Sequence, residues 1–210
     1  MVEGKYIVIE GHDGTGKSTQ VKNIRSKLLE RGIESIEFHE PAGNPMADAI
    51  RDILKNGNLR RDAETNLLLF TAARHELLNQ KATPALKMGK WVVTARNYYS
   101  TLAYQGYGEG LDLDLIKKIT RQFTNERYIE PDISIILDLD DENKRTQRIG
   151  NRGELENPDN FESKDSSFQT KVRLGYLAIA EEFKLPIVSA SPAPEIVTEN
   201  IWQYIEPLID

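Results

Sequence analysis

One short loop near the N-terminus constrains the fold of this chain more than any other segment. Residues 11–18 read GHDGTGKS and lie between an apolar segment, residues 6–9, and an amphipathic pattern that starts after Ser18. Glycines let such a loop curl until successive N–H groups face one phosphate, and the N-terminus of the following helix adds a favourable field. A strand, this loop and a helix in succession therefore predict a site for a nucleoside triphosphate.

The pattern G-x-x-x-x-G-K-[ST] also predicts individual roles. Lys17 is expected to reach the β- and γ-phosphates of ATP, and the Ser18 hydroxyl to be a ligand of Mg²⁺. The predicted ATP-binding residues are Gly11, His12, Asp13, Gly14, Thr15, Gly16, Lys17, Ser18 and Thr19. A glycine-rich turn that matches by chance is the alternative, and the agreement between motif and context argues against it.

Short apolar segments alternate with longer amphipathic ones along the chain. Residues 6–9, 35–38, 91–94, 133–137 and 187–188 are rich in β-branched side chains without strict alternation, which is typical of strands buried on both faces. Helical periodicity follows Ser18 and covers residues 64–79, 111–125, 167–183 and 195–205. This alternation predicts an α/β fold with a five-stranded parallel sheet flanked by helices, in one domain over residues 1–210.

Composition excludes several classes of protein. The net charge is −6 and the pI about 5.3, which argues against a nonspecific nucleic-acid binder. No stretch approaches the roughly 18 apolar residues of a membrane span, and the N-terminus does not resemble a signal peptide. The chain has no cysteine, so disulfides and thiolate metal sites are excluded. We expect a cytoplasmic protein that binds neither nucleic acid nor membrane.

A phosphate-binding loop alone is compatible with a GTPase, a motor or transport ATPase, or a small-molecule kinase. The sequence contains no N-K-x-D motif for guanine, and it is short and acidic for a motor. A kinase fits these observations best.

Several segments beyond the loop resemble thymidylate kinases. They occur in the order of that family and span nearly the whole chain: EGHDGTGKST at 10–19, EPAGNP at 40–45, LFTAAR at 69–74, ARN and STLAYQG within 95–106, PD and LD within 131–138, and RGE at 152–154. The resemblance implies a P-loop kinase fold with a lid segment, ATP and Mg²⁺ as cofactors, dTMP as acceptor and a homodimer.

The resemblance also implies which residues bind the acceptor base. Phe70 would stack on the thymine ring, and Arg74, one helical turn later, would donate to a base carbonyl. Thr101 and Gln105 would meet the edge of the base. Each has a plainer interpretation: Phe70 as core, Arg74 as part of a surface salt bridge, and residues 101–105 as an amphipathic helix.

Other residues are assigned by the same resemblance to the sugar and phosphate. Arg96 and Arg51 would hold the acceptor phosphate, and Arg96 would also stabilise the group in transfer. Tyr104 would lie where a ribose 2′-hydroxyl projects and so favour deoxyribose. Asp13 would act at the acceptor sugar and phosphate, and Glu40 would also belong to this site.

Residues 151–165 are polar and contain Gly153 and Pro158, so they form either a solvated loop or a mobile lid. The variable positions of the phosphate loop hold no arginine or lysine, whereas the region of the lid, approximately residues 145–165, begins with three arginines. We therefore predict that the lid supplies the catalytic charge, through Arg148 or Arg152, with Arg145 nearby.

Two positions depart from the family pattern. Alanine at position 95 replaces the aspartate of a D-R motif, and His39 replaces the arginine before E-P. Alanine cannot help to organise Mg²⁺, so Asp13, Glu40 or Glu10 would have to take over, or activity would be weakened. The leading hypothesis is ATP-dependent phosphorylation of dTMP. The alternatives are a related kinase with another deoxynucleotide or deoxynucleoside acceptor, and a catalytically weakened nucleotide-binding regulator.

Overall fold

The computed structural model describes residues 3–151 and 160–209. At its centre lies a parallel sheet made of β1 (Tyr6–Gly11), β2 (Ser35–His39), β3 (Trp91–Ala95), β4 (Ile133–Asp138) and β5 (Ile187–Ser189). The strand order is β2-β3-β1-β4-β5, so β2 and β3 lie on one side of β1 and β4 and β5 lie on the other. Ligands of open parallel sheets bind beyond the carboxyl ends of the strands at the point where the strand order reverses in this way. Here β1 leads directly into the glycine-rich loop.

Helices cover both faces of this sheet. The described α-helices are α1 (Lys17–Glu30), α2 (Pro45–Lys55), α3 (Ala63–Leu77), α4 (Thr83–Lys87), α5 (Tyr98–Thr101), α6 (Leu113–Phe123), α7 (Glu126–Ile129), α8 (Glu142–Gly150), α9 (Ser166–Phe183) and α10 (Pro194–Ile205). Two π-helical segments, Leu78–Ala82 and Leu102–Gly108, and a 3₁₀ turn, Glu206–Leu208, complete the described structure. None of the helices in these residues is long and apolar enough to cross a membrane.

The sheet separates two hydrophobic cores. Along β1, Tyr6 and Val8 face one core while Ile7 and Ile9 face the other, and each is at most 1% exposed. Alternate side chains of one strand therefore pack against different helices. Burial of one such side chain contributes about 1.5–3 kcal/mol, so β1 is strongly held on both faces. A firmly held strand gives the loop that follows it a fixed starting point.

All five predicted strands are confirmed, together with the parallel sheet and its flanking helices. Helix α2 was not predicted from the sequence, although Asn44 caps its N-terminus by accepting from Ala47 N and Pro45 occupies its first turn. Both features are ordinary helix-start signals. The helix predicted over residues 64–79 ends as α3 at Leu77 and continues as a π-helical segment.

The π-helical segment Leu102–Gly108 packs closely on α9. A Cβ atom on Gly175 would lie 2.7 Å from Tyr107 Cβ, so only glycine allows the two elements to approach this far. The contact aligns Tyr104 and Tyr176, whose ring centroids are 6.3 Å apart. Single π turns of this kind often occur at functional sites.

Candidate active site

The carboxyl ends of β1, β2 and β3 open into one cleft of about 710 Å³. Residues 13–19 of the phosphate loop form part of its wall. The other predicted site residues on the wall are Glu40, Arg51, Phe70, Arg74, Arg96, Thr101, Tyr104, Gln105 and Arg148. Gly11 and His12 are buried at the base of the loop. The structure thus gathers into one cleft residues that lie far apart in the sequence.

The shape of the phosphate loop depends on glycine at its first position. Gly11 has φ 137°, and a Cβ atom there would lie 2.4 Å from the carbonyl oxygen of Leu137 on β4. No other residue fits such a position. The Lys17 ammonium donates to the carbonyl oxygens of Gly11 at 2.7 Å and His12 at 2.9 Å. The loop is therefore curled around its own lysine at the N-terminus of α1.

His12 ties this loop to the start of α9. Its Nε2 lies 2.7 Å from Gln169 Oε1, and Gln169 Nε2 donates to the carbonyl oxygen of Phe161 at 2.8 Å. Burial lowers the pKa of His12 to about 4, although the hydrogen bond to Gln169 and the charge of Asp13 oppose the shift. The imidazole is therefore neutral at neutral pH. The sequence analysis did not identify Gln169, because nothing local distinguishes it from other polar residues of α9.

Because of His12, the folded protein is expected to lose stability as the pH falls below neutrality. Between the unfolded pKa near 6.5 and the folded value of about 4, the unfolded chain binds a proton that the folded chain does not. This difference removes about 1–2 kcal/mol of stability between pH 7 and pH 5. Urea unfolding of wild type and His12→Gln at both pH values measures it. Equal losses in the two proteins would contradict the assignment.

Arg96 and Asp13 form the centre of the cleft. The Arg96 guanidinium lies 2.5 Å from Asp13 Oδ1, and the Tyr104 hydroxyl donates to Asp13 Oδ2 at 2.5 Å. Burial favours the neutral acid, but the charges of Arg96 and Lys17 outweigh it and hold the pKa of Asp13 well below its usual range. Arg96 has φ 74°, a left-handed conformation that is uncommon for arginine and often found at functional sites. The cleft thus holds a fixed cation beside an ionised carboxylate.

Arg74 is almost completely buried in the cleft wall and paired with Glu40. Its Nε donates to Glu40 Oε2 at 2.9 Å and its Nη2 donates to Thr101 Oγ1 at 3.1 Å. Tyr128, which the sequence analysis did not identify, donates to the same Glu40 oxygen at 3.1 Å. Burial raises the pKa of Glu40, and the adjacent Arg74 opposes that rise. Arg74 Nη1 has no hydrogen-bond partner among the described residues.

Gln105 and Phe70 line the same cleft as Arg74 and Glu40. Gln105 Nε2 donates to Glu109 Oε2 at 3.1 Å, which leaves its carbonyl oxygen as the end of the amide that can accept. Phe70 is half-buried and its ring centroid lies 6.0 Å from that of Phe161. Phe70 is therefore partly packed against the core and partly exposed in the cleft.

Glu10 organises the backbone beneath Arg96 and was considered in the sequence analysis only as a substitute metal carboxylate. It is fully buried, and its carboxylate accepts from the backbone N–H groups of Asn97 at 2.7 Å and Ser100 at 3.0 Å. It also accepts from the Tyr176 hydroxyl at 3.0 Å. These bonds hold the turn between β3 and α5, which sets the direction of the Arg96 side chain.

Three arginines were predicted near the lid, and they differ in position. Arg148, in α8, donates to the carbonyl oxygens of Ala190 at 3.1 Å and Gly14 at 3.4 Å. Arg145 is buried and paired with Glu142 at 2.6 and 2.8 Å. Arg152 and the neighbouring residues 153–159 lie outside the part of the chain that the structure describes.

The predicted metal ligand, Ser18, lies at the exposed start of α1. Its hydroxyl oxygen is 3.4 Å from Nδ1 of His39. Burial lowers the pKa of His39. The residues described contain no cluster of three or more acidic, histidine or cysteine side chains that could hold a metal ion. One protein hydroxyl is a sparse set of ligands, but it suits Mg²⁺, which commonly keeps several waters and binds the phosphates of its nucleotide.

The order of the parallel strands reverses at β1, and the phosphate-binding loop follows that strand. A cleft lined by arginines lies beside the loop. Together these features define a phosphotransferase of the P-loop kinase fold. A family profile described as thymidylate kinase matches residues 9–201. The chain belongs to the thymidylate kinase family.

Individual relatives agree with this family. A thymidylate kinase of Carboxydothermus hydrogenoformans is 35% identical over 207 residues, covering 99% of each chain. One of Teredinibacter turnerae is 41% identical over 180 residues and covers 85% of each chain. The crystal structure of the thymidylate kinase from Ehrlichia chaffeensis superposes with a TM-score of 0.79 at 26% identity, covering 97% of this chain and 99% of the other.

Proposed function

We propose that this chain transfers the γ-phosphoryl group of ATP to dTMP, giving ADP and dTDP. The observation that carries the proposal is a single cleft that contains both the phosphate loop and the pair Arg74 and Gln105. Membership of the thymidylate kinase family supports ATP as the donor. The alternatives of another acceptor or a regulatory role receive no support from the relatives.

The hydrogen-bonding groups of Arg74 and Gln105 suit a pyrimidine with a keto group at position 4. Arginine can only donate, and its Nη1 is buried without a partner in the described structure. Gln105 presents its carbonyl oxygen because Glu109 accepts from its amide nitrogen. Thymine offers an acceptor at O4 and a donor at N3, whereas cytosine offers a donor and an acceptor at the same positions. Cytosine would therefore place like groups against each other.

The acceptor is tested by measuring ADP release with Mg²⁺-ATP across dTMP, dUMP, dCMP and dGMP. We expect kcat/KM for dTMP to exceed that for dCMP by roughly a thousandfold or more, since buried polar groups left unpaired discriminate strongly. Gln105→Leu should reduce this ratio, because it removes the acceptor for N3–H. Comparable turnover of dCMP would overturn the proposed acceptor, and tight nucleotide binding without turnover would favour a regulatory protein.

The remaining parts of the cleft are assigned in the same proposal. Arg96 and Arg51 hold the acceptor phosphate, with Arg96 also at the group in transfer. Asp13 and Tyr104, which are hydrogen-bonded to each other, face the deoxyribose. Phe70 provides a flat face for the base. Phosphoryl transfer requires positioning and neutralisation of charge rather than a covalent intermediate, and these side chains provide both.

The donor side consists of the loop, the cation and the lid. Lys17 and the loop N–H groups would bind the phosphates of ATP, and Ser18 would hold Mg²⁺, which neutralises phosphate charge when bound. Arg148 already lies against the loop at Gly14. It would supply the lid charge together with Arg152 or in place of it. A site completed only on closure limits wasteful hydrolysis of ATP.

Three further features remain predictions: one domain over residues 1–210, a cytoplasmic location and a homodimer. Exposed apolar side chains support the homodimer, because Met46 and Ile53 on α2 and Leu68 on α3 are 42–58% exposed. These two helices pack on each other, so their exposed apolar side chains could join in one surface.

A further inference from the structure

The two departures from the family pattern lie opposite each other in the sheet. His39 at the end of β2 is the direct register partner of Ala95 at the end of β3. The His39 Nδ1 atom lies 3.4 Å from the Ser18 hydroxyl oxygen, and all three residues line the cleft. The imidazole therefore lies beside the hydroxyl, and its register partner on β3 is the position where the family pattern has an aspartate.

The position matters because a serine hydroxyl that binds a cation has to point its hydrogen away from that cation. The oxygen offers a lone pair to the cation most effectively when its O–H donates to a neighbouring acceptor. An aspartate at position 95, as in the family pattern, would bring a carboxylate acceptor to the end of β3, and the alanine found there offers none. Some other acceptor is needed at the same place.

The three carboxylates nearest in the sequence pattern are engaged elsewhere. Glu10 is fully buried and accepts from backbone N–H groups and from Tyr176. Asp13 accepts from Arg96 and Tyr104. Glu40 Oε2 accepts from Arg74 and Tyr128, and Glu40 Oε1 has no hydrogen-bond partner among the described residues. None of these contacts directs the carboxylate to Ser18, whereas the Ser18 hydroxyl oxygen lies within 3.4 Å of His39 Nδ1.

We propose that His39 is a positioning residue for the divalent cation of the bound nucleotide: its Nδ1 accepts a hydrogen bond from the Ser18 hydroxyl and so turns a lone pair of the serine oxygen toward the cation. This inference rests on the ATP-binding part of the proposed function. In the imidazole tautomer that carries its proton on Nε2, Nδ1 is the acceptor. His39 and Ala95 are then two uncharged residues at positions where the family pattern has an arginine and an aspartate. The imidazole of His39 thus compensates for the carboxylate that is missing at position 95.

The test measures binding of a non-hydrolysable ATP analogue as Mg²⁺ is varied, without any turnover. His39→Ala is expected to raise the Mg²⁺ concentration that half-saturates the Mg²⁺-dependent gain in affinity by about tenfold, the usual effect of removing a partner of a metal ligand. Binding in EDTA should stay unchanged. His39→Asn should retain wild-type behaviour, because its amide oxygen can accept near the position of Nδ1.

Two further variants separate this role from others. Ala95→Asp should restore the Mg²⁺ response of His39→Ala, because a carboxylate would provide a hydrogen-bond acceptor for the Ser18 hydroxyl. In a Ser18→Ala background, His39→Ala should add no further effect. His75→Ala, at an exposed histidine on α3, is the matched control and should match wild type. Urea midpoints of all variants establish that they are folded.

Three results would overturn the inference. An unchanged Mg²⁺ response in His39→Ala would show that Ser18 needs no acceptor there. Equal weakening with and without Mg²⁺ would make His39 a general support of the loop. Loss of affinity for Mn²⁺ alone, with Mg²⁺ unaffected, would make it a direct nitrogen ligand. Because no acceptor nucleotide is present, the inference can hold even if dTMP proves not to be the substrate.

Discussion

Arg96→Ala is expected to lower kcat by roughly a thousandfold, while affinity for the ATP analogue changes little. The guanidinium lies in the cleft beside Asp13, and it also donates to Ser100 Oγ at 2.9 Å and to the Tyr176 hydroxyl at 3.2 Å. These contacts fix its direction before any substrate arrives. A preorganised cation contributes most where negative charge is shared between donor and acceptor, which is in the transition state.

The measurement is steady-state and single-turnover phosphorylation of dTMP, with analogue binding measured separately. Arg25→Ala is the matched control, because Arg25 on α1 pairs with Glu37 on β2 outside the cleft, so its loss should leave kcat unchanged. Arg96→Lys should recover only part of the rate, since an ammonium lacks the fork that binds two oxygens. A value of kcat within a few fold of wild type in Arg96→Ala would show that Arg96 is not at the transferred group.

The strands of the sheet could be predicted from sequence because each one is marked by a pattern of neighbouring residues. Each strand is a short run of β-branched apolar residues, and burial on both faces of a parallel sheet gives that run its character. The phosphate loop could be predicted for a similar reason, since a glycine such as Gly11 is required by the backbone conformation itself. Strand, loop and helix follow one another without a break in the sequence.

The partners of the site residues could not be predicted in this way. Arg74 pairs with Glu40, 34 positions earlier, and Tyr128 completes that pair from another helix. The sequence analysis assigned Arg74 and Glu40 separately to the acceptor site and did not consider Tyr128. Such contacts depend on how β2, α3 and α7 pack together, and no local pattern encodes that packing.

The relation between His39 and Ala95 illustrates the same limit. Each departure is visible in the sequence, and each considered alone suggests a damaged site. Only the register of β2 against β3 places them side by side, next to Ser18. Strand order and register are tertiary properties, so the proximity of His39 to Ala95 can be recognised only in the folded structure.

Lys17→Met is expected to lower kcat/KM for ATP by on the order of a thousandfold, because it removes a fixed positive charge at the β- and γ-phosphates. Methionine keeps much of the length and apolar stem of lysine but has no charge and no donor. Affinity for the ATP analogue should fall as well, in contrast to Arg96→Ala. The two variants would therefore assign Lys17 to the ATP-binding half of the cleft and Arg96 to the half that binds the acceptor.

Lys17 also donates to the carbonyl oxygens of Gly11 and His12, so the loss could arise from a distorted loop. Lys17→Arg keeps the charge and several donors but changes their geometry, and a partial recovery would identify charge as the main contribution. Lys22→Met, at an exposed lysine further along α1, should resemble wild type in both rate and affinity. If Lys17→Met bound the analogue as tightly as wild type, the loop would not be holding the phosphates through this lysine. The assignment of residues 11–18 to the donor nucleotide would then have to rest on the backbone alone.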